Sequence, residues 1–257
     1  PVDARPVVEG AGAPTVQLPR VEATLELDAV LDEAAWSEAV RLGGFWQYEP
    51  VDGIPAEDAT EVLAWYSSEA VHFAIIAHDR RPESIRATRA DRDAIGGEDH
   101  VILYLDTFDD RRRAFFFGVN ALGVQADGVR TEGGVGAGNM FGGVTDDSPD
   151  YLWQSAGRVT DSGWVAEIRI PFESMILPGS EPQQWGFQVL RHVQRTGHTY
   201  SWTDARRAAA SFLLQAGGLS GLEGFERGVR LEAQPFVTAG LDRTRDDATG
   251  DFGGDGL

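Results

Sequence analysis

The chain has 257 residues, of which 41 are acidic and 22 are basic, giving a formal net charge of −19 at pH 7. It contains no cysteine and no lysine, which excludes thiol nucleophiles, disulfide scaffolds, Schiff-base chemistry and the P-loop lysine. A pI near 4.5 argues against nucleic acid as a partner, because affinity for nucleic acid comes mostly from neutralising phosphates. The 42% hydrophobic content is sufficient for a substantial core.

The predicted organisation is one domain with irregular ends. Residues 1–20 are rich in Pro, Ala and Gly and lack periodicity, which predicts a flexible N-terminal tail. We expect a sandwich domain over residues 21–228. Within 229–257, a strictly alternating strand over 229–241 precedes a stretch rich in Asp and Gly that we expect to be disordered. Such a strand suits either an edge of the sandwich or the start of a membrane barrel.

Short strands dominate the predicted elements in chain order. Asp32 is placed to cap a short helix over residues 33–39. Apolar, β-branched and aromatic runs then predict strands over residues 61–66, 71–78, 101–106, 114–120, 153–160, 164–170, 185–193 and 198–202. The glycine-rich residues 131–150 are predicted to form a long loop.

The strand at 101–106 is apolar on both alternating faces, which is typical of a central strand covered on both sides. We predict that it pairs antiparallel with residues 114–120 and that Leu103 and Phe116 are buried. Many closely spaced strands with one or two short helices indicate an all-β fold, an antiparallel β-sandwich of jelly-roll or immunoglobulin-like type.

The sequence does not predict catalysis. No GxSxG or HExxH motif occurs, and His72 and His78 lie ~20 Å apart along one predicted strand, too far to share a metal. Two of the 41 acids could converge as a glycosidase pair, but no motif singles out a pair. We therefore predict a non-catalytic protein and keep glycoside hydrolysis as the remaining enzymatic alternative.

Acidic residues at strand ends and in turns are the candidate metal ligands. Calcium takes six to eight oxygen ligands from such positions, and the best candidates are Asp79, Asp99 and Asp106. The alternative is that these acids are turn residues that form Asx hydrogen bonds. No motif requires a cofactor, and a structural calcium ion stays one of two open hypotheses.

Tryptophans outside the regular segments are the candidate ligand-binding residues. Trp46, Trp153 and Trp202 lie in or beside predicted loops, where an exposed ring can stack on a pyranose. Arg191 is predicted to lie near Trp202, and its guanidinium can donate several hydrogen bonds to hydroxyl groups. Trp153 would form a second wall of this site.

The alternative for the same residues is an interior position. Arg191 would then pair with a buried acid such as Glu167, and Trp202 would pack beneath the segment 218–221. Four other tryptophans lie within periodic segments and are expected in the core; they are Trp36, Trp65, Trp164 and Trp185.

An ordered set of motifs over residues 21–225 resembles family-9 carbohydrate-binding modules. The set comprises residues 27–36 (LDAVLDEAAW), Ala77-His78-Asp79, residues 98–101 leading to Leu105-Asp106, residues 117–120, residues 163–167 with 170–172, and Trp185-Gly186-Phe187 with Arg191. The order of the motifs is more specific than any one of them. The resemblance implies the β-sandwich and a non-catalytic recognition role, with a carbohydrate as the first ligand to test.

A closer resemblance is to the family-9-like N-terminal domain of uncharacterised bacterial outer-membrane barrel proteins. It rests on Asp106-Thr107-Phe108, on Gly123 with Asp127 and on residues 218–222, and in those proteins a strand like 230–241 begins the barrel. It implies export to the periplasm or cell surface and association with the outer membrane. It also implies an alternative role, in which the domain docks on an outer-membrane barrel or membrane protein complex and binds no sugar.

The chain departs from the family at the sugar site. Family members hold a terminal sugar between two tryptophans, one just before the position of Asp99 and one in the loop after that of Trp202. Here those positions read Ile95-Gly96-Gly97 and Ala208-Ala209-Ala210-Ser211. Trp46, Trp153 or Phe212 would have to substitute.

Overall fold

The computed structural model describes residues 13–89, 91–133 and 144–225, together with the backbone of three two-residue strands outside these ranges. In chain order the strands are β1 (Val8–Glu9), β2 (Thr15–Gln17), β3 (Val40–Gly43), β4 (Trp46–Glu49), β5 (Ile54–Pro55), β6 (Thr60–Tyr66), β7 (Ala70–His78), β8 (His100–Asp106), β9 (Arg113–Asn120), β10 (Gln125–Thr131), β11 (Val144–Asp146), β12 (Gln154–Thr160), β13 (Gly163–Pro171), β14 (Gln183–Val193), β15 (His198–Ser201), β16 (Gly217–Leu222), β17 (Thr244–Arg245) and β18 (Phe252–Gly253). One short helix, α1 (Ala34–Glu38), and 3-10 turns at Pro82–Ser84, Phe172–Ser174 and Leu213–Gln215 complete the described elements.

Two mostly antiparallel sheets form a sandwich, as predicted. The smaller sheet has the order β1-β3-β6-β7-β13-β12, and the larger sheet has the order β11-β10-β9-β8-β14-β15-β4-β5, with β16 and β2 added beside β14. The inward side chains of both sheets form one core, in which Phe73 of the smaller sheet stacks on Phe187 of the larger at 5.5 Å. Strand alternation thus provides two apolar inner faces, and their burial holds the sheets together.

The predicted central hairpin is confirmed. Strands β8 and β9 pair antiparallel, with Leu103 opposite Phe117 and Tyr104 opposite Phe116. Leu103 and Phe116 are both buried, but on opposite faces, since Leu103 lies in the core between the sheets and Phe116 belongs to a separate apolar cluster.

The outer face of the larger sheet is covered by residues 203–216. Phe212 of this segment packs edge-on against Tyr104, with ring centroids 5.4 Å apart. The Arg130 guanidinium lies 4.6 Å from the Phe212 ring centroid and forms a 3.0 Å ion pair with Glu132. Glu132 in turn accepts a hydrogen bond from the backbone N–H of Phe212. This cover explains why β8 is apolar on both faces.

The outer face of the smaller sheet is covered by the segment that contains α1. Trp36 packs edge-on against Trp65 at 5.9 Å and donates its indole N–H to Glu167 at 3.0 Å. Glu167 also accepts the backbone N–H of Ala29 at 2.7 Å, so one buried carboxylate fixes the segment to the sheet. The predicted cap was wrong: Glu33 precedes the helix and no side chain caps it, while the backbone at Asp32 donates to the Val30 carbonyl.

The structure tests only part of what was predicted for the long loop and the two chain ends. The predicted loop at 131–150 begins at the end of β10 and contains β11, which pairs with β10; periodicity missed both strands because each carries polar or glycine residues. Residues 134–143, residues 1–7 and 10–12 of the predicted tail at 1–20, and the predicted strand at 229–241 lie outside the described residues. Within the described part of that tail, Thr15–Gln17 form β2, which pairs with β16. Within the described part of the chain, no helix has the length and apolar character to cross a membrane.

Candidate functional site

The structure places Trp202 in the interior, between the two sheets. Its side chain has no exposed surface and packs against Phe187 at 5.7 Å. Gly217 lies directly over the ring, because a Cβ at this position would be only 2.5 Å from Trp202 Cζ3. The interior alternative therefore describes Trp202, with Gly217 above it at the start of β16.

Arg191 is also enclosed, and its side chain connects the two sheets. From β14 of the larger sheet, Nη1 donates to the Ala59 carbonyl at 2.9 Å and to Thr60 Oγ1 at 3.0 Å, and Nη2 donates to the His78 carbonyl at 2.7 Å. Burial lowers the pKa of Arg191, and nearby carboxylates oppose this shift. The suggested partner Glu167 is engaged elsewhere, with the segment that precedes α1.

The remaining predicted aromatic residues do not extend a common surface. Trp153 is buried and packs edge-on against Phe117 at 5.5 Å. Trp46 lies in β4 rather than in a loop and is half-buried opposite Ser201. Phe212, the third suggested substitute, is buried in the cover of the larger sheet. In this structure, the predicted ligand residues do not come together as an exposed stacking platform.

Each of the three predicted metal ligands accepts a hydrogen bond from a backbone N–H group. Asp79 accepts the Arg81 backbone N–H at 2.7 Å, Asp99 accepts that of Arg86 at 2.7 Å, and Asp106 accepts that of Arg111 at 2.7 Å. Burial raises the pKa of Asp99 and of Asp106. Among the residues that the structure describes, no group of three or more His, Asp or Glu side chains is arranged to hold a metal ion.

A surface cleft between the two sheets provides the aromatic platform that the predicted residues do not. We call it the aromatic cleft. Its volume is about 460 Å³, within the ~300–1,000 Å³ range of small-molecule sites. It is lined by Arg113, Phe115, Pro149, Asp150, Tyr151 and residues 172–177. The buried side chains of Phe115, Phe172 and Met175 form its floor, and Tyr151 is a half-buried wall.

The buried Asp127 and the half-buried Arg92 fix the position of Tyr151. Its backbone N–H donates to Asp127 Oδ2 at 2.6 Å, and its carbonyl accepts from Arg92 Nη2 at 2.7 Å. Arg92 and Asp127 also form an ion pair with each other. The Tyr151 ring meets Phe115 edge-on, with centroids 5.4 Å apart and an interplanar angle of 84°. The aromatic wall is therefore preorganised by β10, where Asp127 lies.

Charged side chains of both signs surround the opening of the aromatic cleft. Arg113 at the start of β9, Asp150 and Glu173 are all exposed there. Ser174 Oγ donates to the Leu152 carbonyl and thereby connects the two segments that form the walls. The described lining includes no histidine, and its ionic groups can donate and accept hydrogen bonds around an apolar floor. This arrangement suits non-covalent binding of an amphipathic ligand.

One residue predicted from the sequence to bind ligand, Trp153, lies near the aromatic cleft but does not line it. Trp153 lies one layer beneath the cleft, since it packs on Phe117, which itself contacts Tyr151 at 5.9 Å. The signal that could have identified Tyr151 is its place directly after Pro149-Asp150, three residues before β12 begins. No periodicity could have joined it to Phe115 and Phe172, because the three come from distant segments.

Comparisons with solved structures identify the fold. A family-9 carbohydrate-binding module from Caldicellulosiruptor kristjanssonii in complex with cellotriose is similar with a TM-score of 0.53 and 12% identity, covering 86% of this chain and 100% of that one. Its glucose complex gives 0.52 and 12%, covering 84% and 100%. A proposed carbohydrate-binding protein from Bacteroides uniformis ATCC 8492 gives 0.55 and 15%, covering 81% and 99%. No family model and no curated protein matches the sequence.

The chain therefore has a fold like that of family-9 carbohydrate-binding modules, as the ordered motifs implied. At 12–15% identity this likeness concerns the fold alone, and the site has to be argued from the residues of this chain.

Proposed function

We propose that the protein is a non-catalytic carbohydrate-binding module and that the aromatic cleft holds the sugar. The observation that carries the proposal is the combination, in one open cleft, of an aromatic and aliphatic floor with ionic groups of both signs at the rim. The similar structures solved with glucose and with cellotriose support this class of ligand.

The chemistry of the aromatic cleft matches that of a sugar ring. A pyranose has C–H faces that pack against aromatic and aliphatic surfaces, here Phe115, Tyr151 and Met175. Its hydroxyl groups at the ring edge donate and accept hydrogen bonds. Arg113 supplies donors at the rim, and the Glu173 carboxylate supplies acceptors. Hydrogen bonds to charged groups are the stronger ones.

Calorimetric titration with cellotriose and glucose tests the proposal. We expect Arg113→Gln and Glu173→Gln each to weaken binding by about tenfold or more, because each removes a charged hydrogen-bonding group. Both residues are exposed, so the fold should tolerate the changes. Arg112→Gln is the matched control, since Arg112 is exposed and adjacent in sequence but does not line the cleft.

Absence of binding to any glycan, or an equal loss in Arg112→Gln, would reject the cleft as a sugar site. That result would favour the alternative, a domain that docks on a membrane protein complex. A specific feature favours that alternative: Phe108, Leu152 and Ile176 are 56%, 81% and 64% exposed. Hydrogen bonds from Thr107 to the Ile176 carbonyl and from Ser174 to the Leu152 carbonyl bring their segments together near the cleft.

A further inference from the structure

A second cavity, which we call the polar pocket, opens on the outer face of the smaller sheet. Strand register aligns four side chains across this face in one row. Trp65 of β6 lies opposite His72 of β7, His72 lies opposite Arg169 of β13, and Arg169 lies opposite Gln154 of β12. The cavity above the last three residues of this row measures about 400 Å³. It is therefore built on the sheet itself and shares no lining residue with the aromatic cleft.

His72 is the innermost polar group of the pocket. Its ring is 2% exposed and stacks on Trp65 with centroids 3.8 Å apart and an interplanar angle of 8°. Nε2 lies 3.4 Å from Ser67 Oγ, whereas Nδ1 has no hydrogen-bond partner among the described residues. Burial, together with the charge of Arg169, lowers the pKa of His72 to about 3, so the ring is neutral at neutral pH.

A buried polar nitrogen without a partner is costly, and native proteins rarely leave one. In a neutral imidazole one nitrogen donates and the other accepts, and the Ser67 contact is compatible with either arrangement. A hydroxyl group satisfies Nδ1 in both arrangements, because a hydroxyl both donates and accepts.

The remaining walls carry charged groups in partial exposure. Arg169 and Glu69 form a 2.9 Å ion pair, with side chains 26% and 66% exposed. On the other side, Glu22 accepts from the backbone N–H and the hydroxyl of Ser68 at 3.2 and 3.1 Å. Glu22 also forms a 2.9 Å ion pair with Arg20, so each carboxylate of the pocket is balanced by a guanidinium and the walls do not favour a charged ligand. The ionic walls disfavour an apolar ligand. Donors and acceptors together favour a neutral ligand rich in hydroxyl groups.

We propose that the polar pocket is a second binding site, for a small hydroxyl-rich molecule that hydrogen-bonds to His72 Nδ1 and to the Arg169 guanidinium. The site stands independently of the aromatic cleft, because it lies on a different face of the sandwich. Its ligand would be recognised by its hydroxyl groups alone, without the aromatic stacking surface of the cleft.

Nitrogen NMR of the His72 ring tests the proposal, with glucose and glycerol as probes. We expect a saturable change in the Nδ1 chemical shift, at millimolar concentration of at least one probe. Arg169→Gln should weaken that binding by about tenfold or more, since it removes a charged donor. Arg158→Gln is the matched control: Arg158 lies on β12, on the same face as Gln154 and four residues from it, and is exposed outside the pocket.

The outcomes separate this site from the cleft. Glu173→Gln should leave the His72 titration unchanged, even if it abolishes binding at the cleft. Melting curves establish that Arg169→Gln is folded, and His72→Phe, which removes the reporting nitrogen, should abolish any pocket-dependent component in calorimetry. A shift that does not saturate with either probe means that the pocket holds only water and overturns the proposal. Equal weakening by Arg158→Gln would overturn it as well.

Discussion

Arg191 and His72 are two buried polar side chains, one on each sheet, that differ in how many hydrogen bonds they make within the protein. Arg191 has no exposed surface, and its two terminal nitrogens donate three hydrogen bonds across to the smaller sheet. The His72 ring has one hydrogen-bonding contact, in which Nε2 lies 3.4 Å from Ser67 Oγ in the turn before its own strand. Each leaves one nitrogen without a partner among the described residues, Nε in Arg191 and Nδ1 in His72.

The difference lies in where the unpaired nitrogen is. Arg191 is enclosed between the sheets, where its other bonds make it a structural connection. His72 is one of the residues that line an open cavity, and we propose that a ligand there completes its hydrogen bonding. A buried side chain that makes several hydrogen bonds within the protein therefore indicates a role in stability, whereas an unpaired nitrogen on a residue that lines a cavity is the feature from which we propose binding.

The largest expected effect tests the role of Arg191 as a structural connection between the two sheets. Arg191→Met would remove the guanidinium donor to the His78 carbonyl and one of the two donors to the Ala59 carbonyl, which also accepts the His78 backbone N–H at 3.0 Å. It would also remove the positive charge near Asp99. We expect the free energy of unfolding to fall by about 3–5 kcal/mol, because the charged hydrogen bonds of Arg191 are lost and buried acceptors lose a donor. Denaturant unfolding at neutral pH measures it.

Arg158→Met is the control for this change, because Arg158 is exposed and its replacement should alter stability by less than about 0.5 kcal/mol. A loss below about 1 kcal/mol for Arg191→Met would show that the connection between the sheets does not depend on this side chain.

A smaller expected effect, the pH dependence of stability, tests the description of His72 as a buried neutral side chain. The pKa of His72 is about 3 in the folded state and 6.5 in the unfolded state. The unfolded state therefore binds more protons between these values, so His72 lowers stability as the pH falls through this window. Between about pH 7 and pH 5 the loss should reach about 2 kcal/mol from this residue alone.

His72→Phe keeps an aromatic ring against Trp65 and removes the titrating group. Between about pH 7 and pH 5, the variant should lose about 2 kcal/mol less stability than the wild type. The comparison cancels the other titrating groups, including His100, whose pKa burial lowers to about 4, and Glu167, whose pKa burial raises. Parallel stability curves for the two proteins would contradict the folded-state neutrality of His72.

The sequence predicts the sandwich because strand periodicity is a local property. The pairing of β8 with β9 and the burial of Leu103 follow from alternation alone. The hydrogen-bond partners of Arg191 could not be predicted in this way. Two of them are backbone carbonyls on the smaller sheet, and every residue type has such a carbonyl. Glu167, the expected partner, instead binds the segment before α1.

The two cavities could not be predicted from the sequence for a related reason: each depends on contacts between segments that are distant in the chain. Tyr151 forms a wall only because Phe115 and Phe172 approach it from other segments, and strand stacking decides that approach. The row that contains His72 and Arg169 depends on the register between β7 and β13, which a shift of one residue would reverse.

The smallest expected effect concerns the acids near Arg191. Asp79 accepts from the Arg81 backbone and from Arg195 Nη2 at 3.2 Å, and Asp99 accepts from two backbone N–H groups. Donors already occupy these carboxylates, whereas calcium needs six to eight free oxygens. We therefore expect the melting temperature to be the same in calcium chloride and in a chelator, at matched ionic strength. An ion that binds only the folded state must raise that temperature, so a rise with calcium, but not with magnesium, would show that these acids rearrange to bind it.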